Sequence, residues 1–282
     1  MENIVISDPA NLEKLEKTIS ESGLGKLHIL ADFDRTLTKA FVNGKSVPSL
    51  ISVLRDGNYL TPDYAGKAND LYEKYHKIEV DPNVSFEEKK KAMHEWWVVH
   101  FDLLIKSGLN KKDIERAVNE DKVEFREGFE EFADFLKQNN IPFVIMSSSG
   151  LGAESISLYL EKAGRRYDNI YIVSNSYEWD EKGNAVRVKQ PIIHGMSKYE
   201  VVVKDFPFFE KIKDRKNVLL LGDNLDDTGM VEGFDCDNII KVAFLNEDAE
   251  KNMDFYKKKY DVIITNDGSM GYVNDLLKSV AP

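Results

Sequence analysis

The chain has 282 residues, 42% apolar and 31% charged, with a formal net charge of −11. That length can bury a real core in one large or two smaller domains, and the acidic balance argues against broad docking on nucleic acid polymers or anionic membrane. The single cysteine, Cys236, excludes an intrachain disulfide, no stretch is long and apolar enough to span a bilayer, and "MENIVISDPANLEKLEKTIS" lacks the pattern of a secretory signal, so a reducing, cytoplasmic setting is expected.

A first helix is expected after Asp8, with Pro9 at its first position. A strand follows at 27–33. From 45 to 122 no strong strand pattern occurs. "TPDYAGKANDLYEKYHK", "SFEEKKKAMHEWWVVHFDLLIKS" and "NKKDIERAVNE" all read as helices, the middle one opened by Ser85 and Glu88 in capping-box spacing. After 123 the pattern alternates. Helix "REGFEEFADFLKQ" leads to strand "IPFVIMS", and helix "AESISLYLEKAG" leads to strand "NIYIVS". A hairpin turn is read at "DEKGN". A helix near 197–204, strand "NVLLLG", a helix near 225–231, strand "IIKVAFL", a helix near 248–257, strand "DVIIT" and a closing helix complete the chain. Helix–strand alternation with nearly all-apolar strands predicts an α/β fold, a Rossmann-like doubly wound and mostly parallel sheet. The helical block interrupts it, giving a core of 1–44 and 123–282 with an inserted helical cap at 45–122.

Ligands of open α/β sheets bind beyond the carboxyl ends of the strands. Asp32, Asp34 and Thr36 follow the first strand, Ser147 to Gly150 follow "IPFVIM", and Asp223, Asp226 and Asp227 follow "NVLLLG". Carboxylates are the ligands Mg²⁺ prefers, and Asp32 and Asp223 are placed to hold it. One carboxylate can attack phosphorus, and a second, two residues on, can move the proton. Hydroxyls and N–H groups at "SSSG" can hold phosphate oxygens, and Lys198 in "HGMSKYE" is the best-placed cation.

"DFDRT", "IMSSS", Lys198 and "GDNLDD", in this order over residues 32–227, resemble the four motifs of the haloacid dehalogenase superfamily. "ADFDRTLT", "YEKYHKIEVDP", "EEK", "EWW", "LLLGDN" and "YDVIITND" are similar to the cytosolic pyrimidine 5′-nucleotidases within it. The resemblance implies a Mg²⁺-dependent phosphatase acting on nucleoside 5′-monophosphates through an aspartyl-phosphate. Asp32 would then be nucleophile and metal ligand. Asp34 would be acid/base and lend its backbone carbonyl to the metal. Asp223 would complete the protein ligands, and Asp227 would support Lys198 or the metal waters. Ser147 and Ser148 would bind phosphate and Glu79 would read the base. Trp96 offers a flat face for stacking. Two features depart from the pattern. "SSSGLG" carries one residue more than the related run, and His100 stands where a small hydroxyl residue is expected.

Blander readings compete. Asp226 reads as structural or solvent-facing, and Lys89–Lys91 as a solvated helix face. Trp96 and Trp97 are adjacent, so they are expected on different sides of a helix. His76, His94 and His100 lack the spacing of a zinc site. A phosphoserine phosphatase-like enzyme and a non-catalytic scaffold remain as alternative functions.

Overall fold

The computed structural model describes residues 4–81, 83–200 and 203–281. Its strands are Ile4–Ile6 (β1), Leu27–Ala31 (β2), Phe41–Val42 (β3), Lys45–Ser46 (β4), Phe143–Met146 (β5), Ile170–Val173 (β6), Tyr177–Trp179 (β7), Ala185–Val188 (β8), Asn217–Gly222 (β9), Asn238–Leu245 (β10) and Val262–Thr265 (β11). Its α-helices are Pro9–Ser22 (α1), Leu50–Asp56 (α2), Tyr64–Val80 (α3), Phe86–Lys106 (α4), Lys111–Asn119 (α5), Phe129–Gln138 (α6), Gly152–Lys162 (α7), Phe209–Ile212 (α8), Ala249–Lys257 (α9) and Gly271–Ser279 (α10).

The central sheet runs β1-β11-β10-β9-β2-β5-β6. Only β1 is antiparallel to its neighbour. Every residue of β2, β5, β9 and β11 is buried, as strands covered on both faces must be. The chain leaves β2 toward β5 and β6 on one side, then returns to β9, β10 and β11 on the other. The switch therefore falls beside β2, where α/β sheets place their ligands.

Local signals hold where they are strong. Asp8 caps α1 through the Asn11 N–H, with Pro9 behind it. The Ser85–Glu88 capping box opens α4. The edge strand β1, the short hairpin β3–β4 and helix α2 were not anticipated, because segments this short show no period. The helices expected near 197–204 and 225–231 are instead 3-10 turns, at Gly195–Glu200, Val203–Asp205 and Leu225–Gly233. Asp226, Asp227, Thr228 and Gly229 are poor α-formers, which favours the tighter turn. Residues 201 and 202 of the first of these, and Pro82 of "IEVDP", lie outside the described residues.

Helices α2 to α5 lie over the carboxyl end of the sheet. α3 packs on α4, α2 on α3 and α5, and α5 reaches α7. Leu54, Tyr64, Ala68, Phe101 and Leu104 from these helices join one apolar cluster with Ile29, Leu37 and Ile145 of the sheet side.

His28 on β2 carries a pH-dependent load. It is 1% exposed, and its Nδ1 donates to the Arg215 carbonyl at 2.9 Å. Burial, opposed by the hydrogen bond to the Arg215 carbonyl and helped a little by the Arg215 charge, lowers its pKa from 6.5 to about 4. The native state thus keeps it neutral while the unfolded chain takes up a proton below 6.5. Its contribution is complete above that pH and is lost as pH falls toward 4, a change on the order of 3 kcal/mol. Relative to His28→Leu, wild type should lose thermal stability between pH 6.5 and 4, measured by calorimetry at each pH. Parallel curves for the two proteins would remove His28 from this role.

Candidate active site

β2 and β9 end side by side, with Ala31 opposite Leu221. This register brings Asp32 next to Gly222 and Asp223. The Asp32 N–H extends the ladder to the Leu221 carbonyl at 3.1 Å. The chain then turns through Arg35, whose φ is 60°. The turn is held by the Arg35 N–H donating to Thr38 Oγ1 at 2.8 Å.

Lys198, on the Gly195–Glu200 turn, points into this strand end. Its Nζ donates to Asp32 Oδ1 and, at 2.8 Å, to Asp227 Oδ1. All three side chains are buried. The other Asp227 oxygen accepts from the Asp223 and Asn224 N–H groups at 3.1 and 3.0 Å, so the capping box of the Leu225–Gly233 turn also fixes the acid. Gly222 permits this approach. A Cβ there would stand 2.6 Å from Asp227 Cβ and 2.8 Å from the Tyr260 hydroxyl.

The cluster holds more negative charge than Lys198 offsets. Burial, joined by Asp227 and Asp34 and opposed by Lys198, pushes Asp32 up to about 7. Burial raises Asp34 to about 6 against the pull of Lys198. Asp223 is raised well above the carboxylate range by burial, Asp227 and Asp32. Burial works against the Lys198 ammonium, but Asp227 and Asp32 outweigh it and its pKa is raised. One oxygen each from Asp32, Asp223 and Asp227 lies within 4.8 Å of the others. Converging buried carboxylate oxygens with a shortage of positive charge fit a hard divalent cation. The Asp34 side chain is outside this oxygen trio, and Asp227 is inside it.

A cleft of about 490 Å³ opens over these groups, lined by Asp32, Asp34, Ser148, Lys198, Asp223 and Asp227. Glu79 of α3 and Trp96 and Trp97 of α4 also line this cleft. A second cavity of about 340 Å³ shares Asp34, Trp96, Trp97 and Ser148 and continues to His100 and Arg55. A larger cavity of about 660 Å³, between α4 and the β7–β8 hairpin, contains none of these acids.

Ser148 faces both cavities, whereas Ser147 is 1% exposed and its Oγ accepts from the Ser149 N–H at 3.2 Å. Glu79 stands near the end of α3 and is hydrogen-bonded to His76 Nδ1 at 3.1 Å. Trp96 and Trp97 do not separate as adjacency alone predicts. Their rings lie 6.5 Å apart at 25°, and both line the cleft. Trp96 also stacks on Tyr75, and Trp97 on His100. Long helical side chains lean toward the N-terminus, which lets neighbours share a surface. Gly150 admits Trp97, since a Cβ there would meet Trp97 Cζ3 at 2.9 Å and Ile51 Cδ1 at 2.4 Å.

His100 is 8% exposed and its Nε2 lies 3.1 Å from the Tyr64 hydroxyl. Burial, with the Arg55 charge, lowers its pKa to about 4, so it is neutral near pH 7. Lys89 lines the cleft rather than standing wholly in solvent, and Asp226 lines it from an exposed position. Sequence reasoning missed Arg35, Arg55 and Arg126, since isolated arginines carry no spacing signal.

A family model described as "Pyrimidine 5'-nucleotidase (UMPH-1)" matches residues 35–281. The 7-methylguanosine phosphate-specific 5′-nucleotidase of Gallus gallus is 32% identical over 276 residues, covering 98% of this chain and 95% of that one. The protein of the same description from Homo sapiens is 30% identical over 278 residues, covering 98% and 92%. Among solved structures, cytosolic 5′-nucleotidase IIIB bound to cytidine superposes with a TM-score of 0.90 at 26% identity, covering 98% of this chain and 93% of that one. A substrate-bound phosphoserine phosphatase matches at a TM-score of 0.53 and 19% identity over 88% and 96%, a likeness of fold. No helix among the described residues is long and apolar enough to cross a membrane.

Proposed function

The chain belongs to the pyrimidine 5′-nucleotidase (UMPH-1) family of 5′-nucleotidase hydrolases, and from that premise we propose that it is a cytoplasmic, Mg²⁺-dependent enzyme releasing phosphate from nucleoside 5′-monophosphates, pyrimidines preferred. The observation that carries the reading is the buried Asp32–Lys198–Asp227 group beneath an aromatic cap cleft.

Asp32 attacks phosphorus and becomes an aspartyl-phosphate. Asp34, two residues on, protonates the leaving 5′ oxygen and then takes a proton from the water that hydrolyses the acyl-phosphate. Lys198 holds Asp32 in line and supplies positive charge to the phosphoryl oxygens. Ser148 and the backbone around it hold those oxygens, with Ser147 bracing the loop behind. Asp32 and Asp223 are the carboxylates that would hold Mg²⁺, with the Asp34 carbonyl beside them, while Asp227, whose oxygens accept from Lys198 and two backbone N–H groups, supports Lys198 at the edge of the trio. When bound, that ion polarises the phosphoryl group and offsets the repulsion among the acids. Glu79 offers an acceptor for a base amine, and Trp96 and Trp97 offer flat faces for the ring.

A second reading, 7-methylguanosine 5′-monophosphate as substrate, has its support in the descriptions of the curated relatives and in the two indoles, since a cationic base is attracted to an indole face. Phosphate release should be measured over CMP, UMP, GMP, 7-methyl-GMP and phosphoserine, with Mg²⁺ and with a chelator. Nucleotide turnover that stops on chelation is expected. Turnover of phosphoserine with none of any nucleotide would replace this reading by the phosphoserine phosphatase one.

A further inference from the structure

The cavity behind the indole pair is chemically one-sided. It opens from Asp34 and Ser148 at the catalytic end and runs to Ser49, Ser52 and Arg55 at the other. Arg55 and Asp34 are the only lining residues with a formal charge near pH 7, because His100 is held neutral. The deep end therefore carries a permanent cation and no carboxylate. Arg55 Nε donates to Asp56 at 3.3 Å, but that carboxylate is 61% exposed, against 22% for the Arg55 side chain. Burial is the main reason His100 stays neutral, and the Arg55 charge adds to it; burial likewise raises the Tyr64 hydroxyl, with the Arg55 charge opposing. The hydroxyls of Ser49 and Ser52 lie 3.1 Å apart, and the Trp96 indole N–H is buried with no hydrogen-bond partner among the described residues. The Ser49 and Ser52 hydroxyls thus add donors at the Arg55 end, and the Trp96 N–H adds one on the wall shared with the cleft.

We infer that Arg55 determines base specificity through its charge, making this cavity select a neutral base and discriminate against the cationic 7-methylguanine ring. The inference rests on the nucleotidase reading above and deepens it, placing the ring on the Arg55 side of the indoles and leaving Glu79, which lines only the neighbouring cleft, outside the choice between rings. A guanidinium is a donor at every position and cannot be deprotonated near pH 7, so a base entering this cavity meets a fixed positive charge. Either ring can place a carbonyl oxygen against it as an acceptor, so the charge of the ring itself makes the difference. A 7-methylguanine ring brings its own positive charge into the same low-polarity space, where repulsion is screened less than in water. The indole faces attract either ring. They supply affinity while Arg55 supplies the choice.

The test compares UMP with 7-methyl-GMP for kcat/KM, and uridine with 7-methylguanosine for binding by calorimetry, in wild type, Arg55→Met and Arg55→Lys. Wild type should prefer the uracil ligand by about tenfold or more in both measurements. Arg55→Met should move that ratio toward 7-methylguanine by about tenfold, while Arg55→Lys keeps the wild-type order because it keeps the charge. A wild type that prefers 7-methylguanine, or an Arg55→Met ratio within about twofold of wild type, overturns the assignment. The wild-type comparison stands without any variant, so a misfolded Arg55→Met does not rescue it. Nucleoside binding needs no turnover. A chain that discriminates in calorimetry yet releases no phosphate would retain the Arg55 assignment and lose the nucleotidase one.

Discussion

Asp32→Asn is expected to lower kcat for nucleotide hydrolysis by at least about 10³-fold. The carboxylate is the attacking group, and an amide oxygen is a far weaker nucleophile of nearly the same shape. Asparagine also gives Lys198 a neutral neighbour, while the Asp227 contact at 2.8 Å remains. The variant should therefore fold. The native site already holds Asp32 up to about 7 through burial and neighbouring acids, so its charge is a strain there rather than a support. Loss of activity without loss of stability is the signature, read by steady-state kinetics beside a thermal melt. Acid-quenched enzyme incubated with ³²P-labelled substrate should carry label in wild type and none in Asp32→Asn. Wild-type turnover in the variant would end the covalent mechanism.

The strand-end acids were legible because two constraints converge on them. A buried parallel strand requires an apolar run, and a ligand site requires polar groups where that run stops. "LHILADFD" and "NVLLLGDN" show both in one line of sequence, and β2 and β9 are neighbours with Asp32 beside Asp223. Lys198 was found by order, and the fold delivers it to Asp32 and Asp227 by a turn that periodicity misread as an α-helix. The cap was less legible. Its long helices α3 and α4 follow the expected segments, but α2 has seven residues, and through it Arg55 enters the cavity. Trp97 misled for a different reason. Helical spacing gives the angle between Cα positions, whereas the indoles extend far enough to lie nearly parallel across one cleft. His100 was visible as a departure, and its neutrality and its tie to Tyr64 needed the packed environment.

Arg126→Met is expected to destabilise the protein by about 3–5 kcal/mol, a melting shift of about 5 °C or more for a chain of this size. Nothing in "FREGF" sets this arginine apart, yet it is 2% exposed and ties the catalytic turn to the ends of β10 and β11. Its Nε donates to the Thr36 carbonyl at 2.9 Å and its Nη2 to the Arg35 carbonyl at 2.6 Å. Nη1 donates to Asp267 Oδ1 at 2.9 Å and to the Gly268 carbonyl at 2.6 Å, with the guanidinium 4.1 Å over the Phe244 ring. Asp267 in turn accepts from the Ala40 and Phe41 N–H groups at 2.8 and 2.9 Å, fixing the chain as it leaves the site. Methionine fills similar space but donates nothing. It takes this donor from the Thr36 and Gly268 carbonyls, leaves the Arg35 carbonyl to Asn246 Nδ2, and leaves a half-shielded carboxylate without its cation, the costly way to break a buried pair. Arg126→Lys should recover part of the loss, because it restores the charge but not the fork that spans Arg35, Thr36 and Asp267. The turn carrying Asp34 hangs from those same carbonyls, so kcat at temperatures where both proteins are folded should fall while KM changes less. A melting shift below about 2 °C would show that the surrounding hydrogen bonds hold the turn without Arg126.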